Sequence, residues 1–208
     1  MHETTAMPRH RRRLAWLRRE LLPIAVMLLL LGAARSSFAN HYIVPSGSMQ
    51  DTLMPGDRVV VNMSAYGVRL PFTGVELLDR AHPRAGDVAV FDSPADGTRL
   101  IKRIVAAGGD RIEVRDGHVR LNGRELRLGP HDDVERFGGH LARINLDAGG
   151  GPDVPALTVP EGMLLVMGDH RGNSFDGRYF GLVRADDVYG KAVAVYFRRG
   201  EGFVWQRL

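Results

Sequence analysis

The chain has 208 residues, a formal net charge of +4 and no cysteine. That length allows one sizeable domain plus a tail, and the missing thiols exclude disulfides, cysteine nucleophiles and cysteine-ligated zinc. The charge is unevenly spread: residues 1–19 hold six arginines against one acid, Glu3, so the leader carries +5 and the remainder −1. A nucleic-acid-binding domain carries its positive charge on the folded part, so no nucleic-acid partner is expected. The eight histidines are scattered without His-Glu-x-x-His spacing, so neither a metal nor a cofactor is expected.

In chain order, the basic leader is followed by an uncharged apolar run over residues 21–34. Its 14 residues fall short of the ~20 that span a bilayer. With Ser37-Phe38-Ala39 behind it, the run also fits the hydrophobic region and cleavage site of a secretory leader. Arg18, Arg19 and Arg35 can snorkel to extend the span, and Trp16 and Phe38 suit the two interfaces. Cleavage after Ala39 would leave few residues ahead of Ser48. The reading is therefore a retained anchor: a basic cytoplasmic tail over 1–19, one transmembrane helix over 20–39 and an extracytoplasmic domain over 40–208. The arginines stay inside, which places the bulk of the chain outside the cytoplasm.

After residue 40 the pattern is all-β. Short β-branched runs at 58–62, 88–91, 100–105, 111–115, 119–121, 163–167 and 188–197 predict strands. Asp116-Gly117 and Asn122-Gly123 predict hairpin turns. No long helical periodicity follows residue 40, so a β-barrel or packed antiparallel sheets is expected. Residues 129–155, rich in Gly, Asp and Arg, read as an exposed excursion. Within them, His131-Asp132-Asp133 reads as a solvated loop.

Two residues stand out chemically. Ser48 lies in Val44-Pro45-Ser46-Gly47-Ser48-Met49, directly after the apolar segment. Lys102 is one of only two lysines among 28 basic residues. Arginine cannot give up its proton, whereas a desolvated lysine can. In a strand over 100–105, Leu100, Lys102 and Ile104 share one face, which sets the amine between two aliphatic side chains and disfavours its charge. Arg103 points the other way. Serine needs a base to become a nucleophile, and lysine is a known alternative to histidine in that role. Pro45 and Gly47 shape a tight turn in which the Ser48 amide and the Ser46 hydroxyl can donate to an oxyanion. The plain alternatives are a snorkelling lysine at a strand edge and a simple turn leaving the membrane.

Five ordered blocks carry a resemblance. They are Arg35-Ser36 with Pro45-Ser46-Gly47-Ser48-Met49 and Thr52-Leu53; Gly56-Asp57 with Val61-Asn62; Gly86-Asp87-Val88 with Phe91; Lys102-Arg103 with Gly109-Asp110; and Gly168-Asp169, Arg171, Asn173-Ser174, Asp176, Arg178 and Gly181. Gly190-Lys191 follows. In these blocks the chain resembles the type I signal peptidases, membrane-anchored serine–lysine proteases that remove leader peptides from exported proteins. The resemblance implies that Ser48 is the nucleophile and Lys102 the general base. It implies that Ser46 assists the oxyanion hole, that Ser174 orients the lysine, and that Asp176 and Arg178 form an ion pair supporting that loop. Tyr42, Val44, Leu53 and Ile101 flank these positions and are candidates for shallow pockets that take small side chains. Asp57, Asp110 and Asp169 read as turn braces.

The implied substrates are the signal peptides of exported precursors, cut after small residues of Ala-x-Ala type at the periplasmic face of a bacterial inner membrane. The chain departs from the family pattern at Asp51, where proline is common, at Ala106-Ala107-Gly108, at His170 in place of asparagine, and at Gly177 in place of serine. Three other readings stay open: a specialised peptidase of a conjugative-transfer or pilus system, a self-cleaving repressor-type serine–lysine protease, and a β-rich binding protein without activity.

Overall fold

The computed structural model describes residues 17–27, 39–69, 76–79 and 81–208. Residues 17–27 are helical, beginning with a π-turn at Leu17–Leu21, and Leu21, Leu22, Ile24, Val26 and Met27 are exposed. No helix among the described residues is long and apolar enough to cross a membrane. Most of the expected tail and anchor, residues 1–16 and 28–38, lies outside the described residues.

The rest is built from antiparallel strands. The main sheet runs in the order β1 (Ala39–Ile43), β2 (Arg58–Asn62), β15 (Val188–Arg198), β5 (Val88–Asp92), β6 (Arg99–Ala107), β13 (Met163–Met167), β14 (Val183–Arg184), with β16 (Gly202–Arg207) paired to β15. Smaller sheets join β3 (Gly67–Arg69) to β4 (Glu76–Asp79) and β10 (Val134–Phe137) to β11 (His140–Arg143). The remaining sheet has the order β12 (Val154–Thr158), β7 (Arg111–Arg115), β8 (His118–Leu121), β9 (Arg124–Glu125). All seven expected strands are present. The barrel alternative is corrected: the main sheet is an open path whose end strands, β1 and β14, do not pair with each other. The fold is therefore packed antiparallel sheets.

Side-chain alternation explains how the main sheet is buried on both faces. On β5, Val88 and Val90 join a cluster with Val44, Met49, Leu53 and Val59. Ala89 and Phe91 face the other way and join Ile104, Leu164 and Val166. On β13 the partners of Leu164 and Val166 are Leu165 and Met167, which enter a third core with Ile112, Val114, Phe137 and Ile144. The two hairpin turns form as read: Asp116 and Asn122 have φ of 49° and 52°, a left-handed geometry that Asn and Asp tolerate best among residues with a side chain.

The excursion over 129–155 is a second correction. It contains the β10–β11 hairpin, and Glu135, Phe137, Ala142 and Ile144 are buried. Glu135 shares a strand face with Phe137 and is buried because its charge is met by Arg171, with Arg171 Nη2 2.7 Å from Glu135 Oε2. Residues 131–133 are exposed, as expected of a solvated loop.

Candidate active site

Ser48 sits on a short 3-10 turn, Gly47–Met49, immediately after β1. The turn is pinned from beneath by Met49 and Leu53, both fully buried, and by the Leu53 amide donating to the Met49 carbonyl at 2.8 Å. Asp57 braces the segment's far end, accepting from the Met54 amide and from Arg198.

Strand β6 delivers Lys102 to this turn. Lys102 Nζ donates to Ser48 Oγ at 2.5 Å across 54 residues of sequence. Lys102 is 3% exposed and Ser48 8%. Burial pushes the Lys102 amine down from 10.5 to about 8; Asp176 and Asp169 pull it partly back, and Arg178 adds to the lowering. Leu100 and Ile104 pack in one cluster beside this strand, as the alternation requires. Arg103 takes the opposite direction. It makes a two-pronged pair with Asp169, at 2.9 and 2.7 Å, and donates to the Gly86 carbonyl at 2.8 Å.

Ser46 Oγ lies 3.3 Å from Ser48 Oγ, on an exposed residue at the mouth of the site. Ser174 is buried, and its hydroxyl makes no hydrogen bond within normal geometry among the described residues, to Lys102 or to any other group. It stands on the carboxylate side of Asp176, whose ionised form it helps to favour. Asp176 and Arg178 form a bidentate pair, with Arg178 Nε to Oδ1 and Nη2 to Oδ2 both at 2.8 Å. Burial works to raise the Asp176 carboxyl, but Arg178 and the Gly168 amide outweigh it and hold it below the ordinary carboxylate range. Arg178 also donates to the carbonyls of Gly150 and Arg171, both at 2.6 Å. Gly168 closes the arrangement. A Cβ there would overlap both the Ser174 hydroxyl and the Ser48 carbonyl, so only glycine lets the two loops meet.

A cleft of about 480 Å³ opens beside the turn, lined by Tyr42, Val44, Val90, Arg99 and Ile101 among others. It lies between β1 and the first half of β6. β6 pairs with β5 through 99–103 and with β13 only from 103 onward, so its other edge at 99–102 has no strand partner among the described residues. Tyr42, Val44 and Ile101 are thus on the cleft wall. Leu53 is not among the lining residues: it is fully buried beneath the turn, packed in one cluster with Val44 and Val90.

Asp110 braces its turn through backbone, whereas the Asp169 carboxylate meets only side chains among the described residues. Asp110 accepts from the Ala107 amide and from Asn122, and Asp169 from Arg103 and Thr52. Sequence reasoning missed three supports: Thr52 Oγ1 on Asp169 at 2.5 Å, the buried Arg171–Glu135 pair, and the His170–Asp147 pair. Glu135 carried a readable signal, an acid on the same strand face as Phe137. The other two depend on loops meeting in space. Among the described residues no cluster of three metal-ligating side chains exists.

Comparisons with known proteins point to one family. The family model described as "Signal peptidase, peptidase S26" matches residues 17–197. Signal peptidase I of Pseudomonas fluorescens is 32% identical over 203 residues, covering 86% of this chain and 70% of the relative. Signal peptidase I of Pseudomonas aeruginosa is 31% identical with the same coverage. Signal peptidase I P of Bacillus subtilis subsp. natto is 30% identical and covers 84% of each chain. With most of its length matched, the chain belongs to the signal peptidase family, peptidase S26.

Proposed function

We propose that this protein is a membrane-bound serine endopeptidase that removes signal peptides from exported precursors, with Ser48 as nucleophile and Lys102 as general base. The observation that carries the reading is the 2.5 Å contact between a buried lysine amine and a serine hydroxyl. A lysine shifted to about 8 is neutral in a useful fraction of molecules near neutral pH, whereas an ordinary one is not.

In the mechanism, neutral Lys102 takes the Ser48 proton as Oγ attacks the scissile carbonyl. The developing oxyanion is held by the Ser48 amide and the Ser46 hydroxyl. Lys102 then gives its proton to the leaving amine, and water repeats the sequence on the acyl-enzyme. Ser174, with Asp176 and Arg178, supports the lysine side of the site. The substrate lies extended between β1 and the edge of β6 at 99–102, adding backbone hydrogen bonds as a strand would. Its small side chains face Tyr42, Val44 and Ile101. Residues 1–19 remain cytoplasmic, 20–39 anchor the chain in the inner membrane, and 40–208 act at the periplasmic face. Sharing one membrane surface raises the effective concentration of enzyme and precursor.

The deciding experiment reconstitutes the full chain in liposomes with an Ala-x-Ala precursor. Wild type should release the leader, and Ser48→Ala and Lys102→Arg should not. Cleavage by Lys102→Arg at the wild-type rate would remove the lysine from the chemistry.

A further inference from the structure

The two walls of the cleft beside the nucleophile turn are joined by a hydrogen bond at its outer end. Tyr42 belongs to β1 and Arg99 to β6, and the strands β2, β15 and β5 stand between these two in the main sheet. The sheet curls far enough that Arg99 Nη1 still reaches the Tyr42 hydroxyl, at 3.2 Å. Arg99 is held for this from two further sides. Its Nε and Nη2 donate to the Asp92 carboxylate at 2.5 and 3.4 Å, across a register pair that joins β5 to β6. Its guanidinium carbon lies 3.8 Å from the centre of the Tyr189 ring, and the Tyr189 hydroxyl donates to Asp92 at 2.5 Å.

Strand alternation fixes where this bridge stands along the cleft. Arg99 and Ile101 share one face of β6, and their partners on β5 are Asp92 and Val90. All four line the cleft. Its floor therefore changes from aliphatic to charged within one two-residue step, about 7 Å. A precursor lying extended along residues 99–102 advances at the same rise. When its −1 residue, the one before the scissile bond, is level with Lys102, its −3 residue is level with Leu100. The −3 side chain then enters between Ile101 and Arg99, and the bridge forms the outer wall of its pocket.

That wall carries a surplus of donors. A guanidinium has five N–H groups; Asp92 and Tyr42 take three of them, which leaves two among the described residues. The Tyr42 hydroxyl accepts from Arg99 and keeps its own proton to donate. A carboxylate has about four accepting sites, and at Asp92 three are filled, two by Arg99 and one by Tyr189. The side chains of Arg99 and Asp92 are 40% and 36% exposed, so a ligand can reach them. We propose that Arg99 is a specificity-determining residue that, with Tyr42, reads the −3 side chain of the precursor and favours a hydroxyl-bearing one over an aliphatic one of similar shape. The inference rests on the reading of Ser48 as nucleophile and deepens it by naming what the −3 pocket selects.

A precursor series cleaved by the full chain in liposomes tests this. The −3 residue is Val or Thr, which differ in a methyl against a hydroxyl, and −1 stays Ala. Wild type should favour the Thr precursor about 3–10-fold in kcat/KM, the worth of one hydrogen bond. Arg99→Met keeps a long side chain without donors. It should bring that ratio to one or below, while the ratio between Ala and Ser at −1 stays as in wild type. Thermal melting is the folding control. A wild-type ratio of one, a ratio that Arg99→Met leaves unchanged, or an equal change at −1 would each overturn the proposal. Calorimetric binding of the Thr and Val peptides to Ser48→Ala reads the preference without the chemistry. Tighter binding of the Thr peptide, lost when Arg99→Met is added, supports the wall, and equal binding refutes it. Cleavage that persisted in Ser48→Ala would remove the reading on which the inference rests, a result distinct from a missing preference for Thr.

Discussion

Asp176 and Arg178 meet in a planar, two-pronged pair from which solvent is excluded, with 0% side-chain exposure on both partners. The pair also touches the base indirectly, since Asp176 is the largest charge pulling the Lys102 amine upward and Arg178 the one pushing it down. Breaking such a pair by removing one partner leaves a buried charge unmet, at a cost of about 3–5 kcal/mol. Arg178→Ala should lose stability on that scale, because the carbonyls of Gly150 and Arg171 lose their donor as well. Chemical denaturation gives the number. A loss under about 1 kcal/mol, the range of a surface pair, would show that the pair is not closed off from water.

The pH dependence of turnover has a fixed sign. With Lys102 as the proposed base, its reactive form is neutral, and burial pushes its amine down to about 8. The ascending limb of kcat/KM should therefore centre near that value rather than near 10.5. Asp176→Asn removes the strongest upward pull, so its ascending limb should move to lower pH. A limb that stays in place would separate Asp176 from the electrostatics of the base.

Stability should respond to the same lysine. A depressed amine means that the folded state holds fewer protons than the unfolded chain between pH about 8 and 10.5. Stability from this group is full above 10.5 and is lost as pH falls through 8. Lys102→Met should thus be inactive yet more stable at pH 7, by about 1–3 kcal/mol, and the gain should shrink as pH rises through that window. Denaturation curves at pH 7 and 10 measure it, and a gain equal at both would contradict the assignment.

Gly168→Ala tests the meeting point of the two loops. The added methyl overlaps the Ser174 hydroxyl and the Ser48 carbonyl, so the loops must part. A displacement near 1 Å at a nucleophile costs about 10²-fold in rate. Single-turnover cleavage of a model precursor should fall by about that factor.

Ser46→Ala probes the mouth of the site. Its hydroxyl stands 3.3 Å from Ser48 Oγ on an exposed residue, so its loss should hardly affect folding. As one oxyanion donor it should cost about 10²-fold in kcat. An unchanged turnover number would leave the Ser48 amide as the sole donor.

Strand positions were legible because alternation is local. The runs at 58–62 and 163–167 announce strands by β-branched and aliphatic content, and Asp116-Gly117 announces its turn by a backbone preference within two residues. Short or polar strands such as β9 and β11 carry no such mark, since they are held by their pairing partners. Reading 129–155 as an excursion failed for the same reason: Glu135 is an acid in a core, acceptable only because Arg171 arrives from 36 residues away.

The sequence by itself determined which residues were chemically able to act, a hydroxyl at 48 and one of only two lysines at 102, and which side of β6 each neighbour would take. Only the tertiary structure decided that those two groups touch, that Leu53 packs beneath the turn rather than lining the cleft, and that Arg99 reaches Tyr42. Reactivity belongs to a side chain, and alternation to a few consecutive residues. Desolvation and contact belong to segments far apart in the chain, and they exist only once the β6 strand, the 47–49 turn and the 168–174 loop have packed together.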